Sequence, residues 1–215
     1  MFDIIEQVNR HKIVAIIRTD SIKELEQTVE SLYKGGIRIV EITLNTPGAL
    51  EGISSLQNKY PNLVIGAGTV LDPESARQSI LAGASFLLAP TLKESTISMA
   101  NRYNTFIVPG VLTPTEALTA YEYGARMIKI FPARSVGSKY ITDLKGPLSQ
   151  IDIMAVGGIT LDNAEEFLKA GSSALGIGSS LVDNKLVKQG EFKEIEKRAR
   201  DFVEVVNRFE LSKNL

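Results

Sequence analysis

The stretch GARMIKIFPAR, residues 124–134, holds one lysine inside an otherwise apolar run. Lys129 follows Met127 and Ile128 and precedes Ile130, Phe131 and Pro132. A charged, unpaired amine in such a setting costs on the order of several kcal/mol. Among the 25 acidic residues, only Glu41, in IVEITL, has comparable surroundings; Asp152 stands at a strand entrance, where water can reach it. Burial lowers a lysine's pKa and raises a glutamate's, leaving a neutral nucleophilic amine and a carboxyl that can pass protons near neutrality. Schiff-base chemistry on a carbonyl compound needs such a pair and no metal. A buried structural ion pair is the alternative reading of the same residues.

A second constellation is rich in glycine. AVGGIT (155–160) runs into Leu161-Asp162-Asn163-Ala164, and GIGSSL (176–181) ends another apolar run. Glycines let the backbone approach an anion closely, and N–H groups at a helix start bind phosphate. Gly157, Gly158 and Gly178 would supply that backbone, with hydroxyl donors from Ser179 and Ser180. Tight turns use glycine too, so either motif alone is ambiguous. Thr69 in GAGTV, Thr43 beside Glu41, Pro90 and Arg18 fall at the ends of strand-like runs, and Arg18 could pair with a carboxylate. Lys145 in LKGPL reads as a surface lysine rather than a phosphate contact.

These residues sit on a regular frame. Near-continuous apolar runs recur every 20 to 25 residues: 13–18, 37–44, 63–68, 85–90, 105–110, 126–132, 151–158 and 173–178. Such runs suit parallel strands covered by helices. Asp72-Pro73-Glu74 and Thr113-Pro114-Thr115-Glu116 place a cap, a proline and an acid where helices start. Gly35-Gly36, Gly83, Gly124 and Gly171 mark helix ends. An extra helix is expected over 2–11 and a long closing helix over 190–209. The pattern predicts one domain, residues 1–215, folded as an α/β (β/α)8 TIM barrel with an extra N-terminal helix; a doubly wound open sheet is the competitor. Glu41 on the second strand and Lys129 on the sixth would face each other across the lumen of such a ring.

Composition removes several chemistries. The 215 residues carry a net charge of −1 and are 44% hydrophobic, which argues against nucleic-acid binding. There is no cysteine and a single histidine, His11, so thiolate or histidine-rich metal sites and a Ser-His-Asp triad are not expected. The opening MFDIIEQVNR has no signal-peptide pattern, and no apolar stretch approaches the roughly 18 residues that a membrane span needs. The expectation is a cytoplasmic protein without membrane or nucleic-acid partners.

EITLNTP, GAGTV, VPGVLTPTE, KIFPA, GGIT and GIGSS occur in that order along the whole chain. Together they resemble the 2-keto-3-deoxy-6-phosphogluconate / 4-hydroxy-2-oxoglutarate aldolases. The resemblance implies a homotrimeric barrel, no cofactor beyond the covalent lysine, and a phosphorylated keto-sugar acid as small-molecule partner, split to pyruvate and glyceraldehyde 3-phosphate. It implies Lys129 as Schiff-base lysine and Glu41 as general acid/base. It places Thr69, Pro90 and Phe131 at the pyruvate end, and Gly157, Gly158, Gly178, Ser179 and Ser180 at the phosphate. Two positions depart from the phosphogluconate pattern. Asn45 stands where many relatives have arginine, and Val156 where they have threonine, as in the sister group acting on the 6-phosphogalactonate epimer. Thr43 and KGPL lean the other way. The expectation favours the galactonate epimer, with Arg18 taking the substrate carboxylate because the strand-2 arginine is absent. Three alternatives stay open: cleavage of 4-hydroxy-2-oxoglutarate to pyruvate and glyoxylate, another enzyme of phosphate-binding barrels such as a sugar-phosphate epimerase, and a non-catalytic sugar-phosphate-binding barrel.

Overall fold

A computed structural model describes residues 4–213. Helix α1 (Ile4–His11) precedes eight repeats of strand and helix. The first repeats are β1 (Ile13–Ile17), α2 (Ile22–Lys34), β2 (Ile39–Thr43), α3 (Ala49–Lys59), β3 (Val64–Gly68), α4 (Pro73–Leu81), β4 (Phe86–Leu88) and α5 (Glu94–Arg102). The fifth strand is broken at Pro109 into β5 (Phe106–Val108) and β6 (Gly110–Val111). Then follow α6 (Pro114–Glu122), β7 (Met127–Ile130), α7 (Gly137–Lys145), β8 (Asp152–Val156), α8 (Ala164–Lys169), β9 (Ala174–Ile177), α9 (Asn184–Gln189) and α10 (Phe192–Ser212).

All strand pairs are parallel, in the order β5-β4-β3-β2-β1-β9-β8-β7-β6. The two outermost strands are halves of one run, so the sheet closes on itself through the chain, and the expected (β/α)8 barrel is what forms. Proline has no N–H to give the ladder, which explains the break. The Pro109 carbonyl still accepts from the Lys129 N–H at 2.8 Å.

Side chains alternate strictly about the wall. Val14, Ile39, Phe86, Leu88, Val108, Met127, Met154, Val156 and Ala174 form the inner cluster, with Val8 of α1 plugging the end where the strands begin and Ile4 and Ile5 packed beside it. The outward set, including Ile17, Ile42, Ile65, Leu87, Ile128, Ile153 and Leu175, packs against the helices. Glu41 shares the parity of Ile39, and Lys129 that of Met127, so both point inward.

The expected helix signals act as read. Asp72 accepts from the Ser75 N–H at 2.7 Å, and Thr113 with Glu116 makes a reciprocal capping box. Gly36, Gly83, Gly124 and Gly171 adopt φ near +100°, which lets each helix turn into the next strand (97°, 98°, 95° and 105°). The observed α10 begins two residues later and ends three later than expected, and α9, six residues long, was not anticipated because it is too short for a periodic signal. Residues 2 and 3 of the expected first helix lie outside the described residues. No helix among these is long and apolar enough to cross a membrane.

Candidate active site

Lys129 projects from the middle of β7 and is 5% exposed; Glu41 projects from β2 and is 1% exposed. Below them the lumen is filled by apolar side chains; above them it opens toward the strand ends. Room for the carboxylate comes from β3. A Cβ built on Gly68 would fall onto Glu41 Oε1, and one on Gly66 would strike the Phe86 ring. Two small residues on one strand thus let an acid and a phenyl ring cross the barrel.

Glu41 Oε2 is buried with no hydrogen-bond partner, and among the described residues no direct ion pair joins Glu41 to Lys129. A satisfied structural pair would close that gap, so the geometry disfavours the purely structural reading. Burial is the largest influence on both groups. It raises the Glu41 pKa, against the opposing pull of Lys129 and Arg18. It lowers the Lys129 pKa, helped by Arg18 and opposed by Glu41. An amine that sheds its proton readily and a carboxyl that retains one lie together, both buried.

The rim around them is built from the strand ends. Phe131 is 39% exposed and sets its ring 4.8 Å from Lys129 Nζ. Thr69, a β-branched residue, sits at φ 59°, a strained backbone of the kind that gathers at functional sites. Pro90 closes against Gly110, where a Cβ would strike its carbonyl. Arg18 follows the inward parity of Val14 and Ile16 at the mouth, exposed and without an ion-pair partner among the described residues. Thr43 plays a different part from the substrate contact suggested by its position. Its hydroxyl donates to the Ile17 carbonyl at 3.2 Å and lies 3.3 Å from the Thr46 hydroxyl, which takes the Thr19 N–H. The two threonines therefore fix the backbone on either side of Arg18.

Two glycine-rich loops stand side by side. Gly157 and Gly158 have φ 94° and 82°, conformations that favour glycine. Asn163 pins this loop, accepting from the Thr160 N–H at 2.8 Å and donating to the Gly158 carbonyl at 2.9 Å. The Ser180 hydroxyl donates to the Ile159 carbonyl and so ties the loops together rather than pointing a donor outward. Arg198 of α10 supports the second loop through the Ser180 carbonyl at 3.3 Å. The N–H groups of Gly158, Ser179 and Ser180 donate no backbone hydrogen bond among the described residues. These free donors, with the exposed Ser179 hydroxyl and the partly exposed Gly178, could hold an anion.

Val156 points into the barrel against Gly176. Asn45 is exposed and lines a recess of about 480 Å³ with Ser75 and Gln78. Lys145 donates to the Ser149 and Ile151 carbonyls, closing a turn as a structural lysine would. Gly68, Asn163, Arg134 and Arg198 belong to the site's neighbourhood without having been singled out in the sequence. Only the GAGTV motif hinted at Gly68; the others depend on which loops meet. No group of metal-ligating side chains occurs among the described residues.

Comparison with known proteins gives concordant likenesses. The family model described as KDPG and KHG aldolase matches residues 4–198. A 2-dehydro-3-deoxy-phosphogluconate aldolase of Haemophilus influenzae is 32% identical over 94% of this chain and 96% of its own. A 2-dehydro-3-deoxy-6-phosphogalactonate aldolase of Escherichia coli is 37% identical over 79% of this chain and 83% of its own. The KDPG aldolase of Legionella pneumophila, solved with pyruvate captured as a covalent carbinolamine, superposes with a TM-score of 0.84 at 27% identity, over 88% of this chain and 93% of its own.

Proposed function

This chain belongs to the KDPG and KHG aldolase family, and we propose that Lys129 and Glu41 carry its reaction. The protein is an aldolase that cleaves a 2-keto-3-deoxy-6-phospho sugar acid. The single observation that supports our assignment is the facing pair: a buried amine and a buried carboxyl whose one free oxygen has no protein partner.

The neutral Lys129 amine adds to the C2 ketone, and Glu41 shuttles protons as the carbinolamine loses water to give a cationic imine. Glu41, as carboxylate, then takes the C4 hydroxyl proton. The O–H electron pair forms the aldehyde, and the C3–C4 bonding pair flows into the imine as an enamine. Glyceraldehyde 3-phosphate leaves. Protonated Glu41 returns its proton to C3, and water releases pyruvate from the lysine. The oxygen without a partner is what lets Glu41 serve a substrate hydroxyl, directly or through one water. Arg18, held by Thr43 and Thr46, takes the substrate carboxylate, and Thr69, Pro90 and Phe131 surround the three-carbon end. The glycine loops hold the phosphate, and this remote binding energy sets C4 beside Glu41. This scheme uses no cofactor beyond the lysine itself.

The galactonate epimer is favoured through Val156, which faces the lumen. A homotrimer in the cytoplasm completes the reading by likeness to the family. A sedimentation mass of one chain, rather than three times 23.4 kDa, would remove the trimer.

The decisive experiment is borohydride reduction in the presence of pyruvate. The expected product is one reduced pyruvyl adduct on the peptide containing Lys129, absent from Lys129→Met. No adduct, or an adduct on another lysine, would overturn the mechanism.

A further inference from the structure

The phosphate cradle as described is built of neutral donors, whereas a phosphate monoester approaches a dianion. Three observations bring one cation to it. Arg134 lies in the turn after β7, and its N–H donates to the Gly157 carbonyl at 2.9 Å, fastening the turn to the first glycine loop. Its aliphatic stem covers Gly158. A Cβ on that glycine would meet Arg134 Cβ at 2.5 Å, Cδ at 3.0 Å and Cγ at 3.1 Å. The residue is nevertheless exposed, and its guanidinium has no ion pair or hydrogen bond among the described residues. Arg198, which reaches the neighbouring loop, is already engaged by Glu194 and the Ser180 carbonyl.

The layout continues outward from the reactive amine. The Phe131 ring borders Lys129 on one side and, at 3.2 Å from a Cβ position on Gly157, the glycine loop on the other. Arg134 stands one residue further along that loop. A keto acid held covalently at C2 by Lys129 would thus run past Phe131, with its far end arriving between the free N–H groups and this guanidinium.

We infer that Arg134 is the cationic residue of the phosphate site, closing over the phosphoryl group of the substrate from the Gly158 side. The inference rests on the aldolase reading and adds to it a residue that discriminates phosphorylated from unphosphorylated keto acids. A guanidinium suits this task because its planar fork meets two phosphate oxygens at once.

The test is kcat/KM for the 6-phosphorylated 2-keto-3-deoxy acid and for its unphosphorylated counterpart, in the wild type, Arg134→Gln and Arg134→Lys. Glutamine keeps the stem over Gly158 and removes the charge, so loop packing and charge are separated. The expected result is that the phosphorylated-to-unphosphorylated ratio falls about tenfold to a hundredfold in Arg134→Gln, the range of one charge-assisted hydrogen bond. Lysine should restore part of it, with the change mainly in KM. A ratio equal to that of the wild type, or equal losses on both substrates, would overturn the assignment while leaving the aldolase intact. A wild type indifferent to the phosphate would sink the phosphate site and Arg134 with it.

Discussion

At the scale of the residue, the barrel maintains an arrangement that stability alone would not retain. Glu41 Oε2 is buried without a partner, and Lys129 keeps its amine in the same chamber. Each is tuned chiefly by loss of water. The pH dependence follows in sign. Lys129 is nucleophilic only after losing its proton, and burial moves that loss below the ordinary 10.5, so the acid limb of kcat/KM should begin below that value. On the proposed reading, the choice of epimer belongs to this scale too. Val156 presents a methyl where threonine would present a hydroxyl of nearly the same shape. Val156→Thr should shift the ratio of kcat/KM for the two C4 epimers toward the gluconate form. The expected size is up to about tenfold, because one neutral hydrogen bond contributes about 0.5–1.5 kcal/mol. An unmoved ratio would place the stereochemical choice elsewhere.

At the scale of the element, β3 does more for the site than its sequence suggests. It contributes no charged group, yet its glycines leave the space that Glu41 and Phe86 occupy. Gly68→Ala should therefore displace the carboxylate while leaving the barrel folded. A misplacement of about 1 Å costs on the order of a hundredfold in rate, and the extra methyl about 1–3 kcal/mol of stability. Single-turnover release of glyceraldehyde 3-phosphate, measured beside circular dichroism, checks both. A variant with wild-type turnover would mean that Glu41 is not held in this geometry. The helices act at a greater remove. The long α10 reaches the second glycine loop through Arg198, and the capping box on α6 anchors the turn that follows β6.

For the whole molecule, closure of the sheet sets the terms. Strands fixed in a ring bring residues 88 positions apart in sequence to opposite walls of one lumen, and apolar layers beneath them exclude water. The burial of both groups should be measurable as a stability cost. Replacing a buried ionisable pair by apolar side chains commonly stabilises a fold by about 1–4 kcal/mol, so the double variant Lys129→Met/Glu41→Leu should melt several degrees above the wild type near pH 7 while losing activity. The sign follows from the lowered pKa. The folded state binds the lysine proton less tightly than the unfolded chain does, so the wild type bears the full cost below the folded-state pKa. The cost fades as pH climbs toward 10.5. The gap between the two melting temperatures should narrow over that range. A gap that widens instead would contradict burial as the cause.

The amino-acid sequence alone determined the repeat of strand and helix, the caps, and the anomaly of Lys129 and Glu41. Period-two and period-3.6 patterns are local, and a charge inside an apolar run is visible without knowing its neighbours. It also marked Gly157 and Gly158, since positive φ selects glycine, and the GIGSS turn by its run of small residues. It could not show that the Thr43 and Ser180 hydroxyls are spent on carbonyls, because those carbonyls belong to other segments of the chain. Nor could it reveal that Gly68 makes room for a carboxylate and Gly158 for the stem of Arg134. Those outcomes depend on which backbone lies opposite which. Only the closed ring of strands, with the register that closure imposes, decides that.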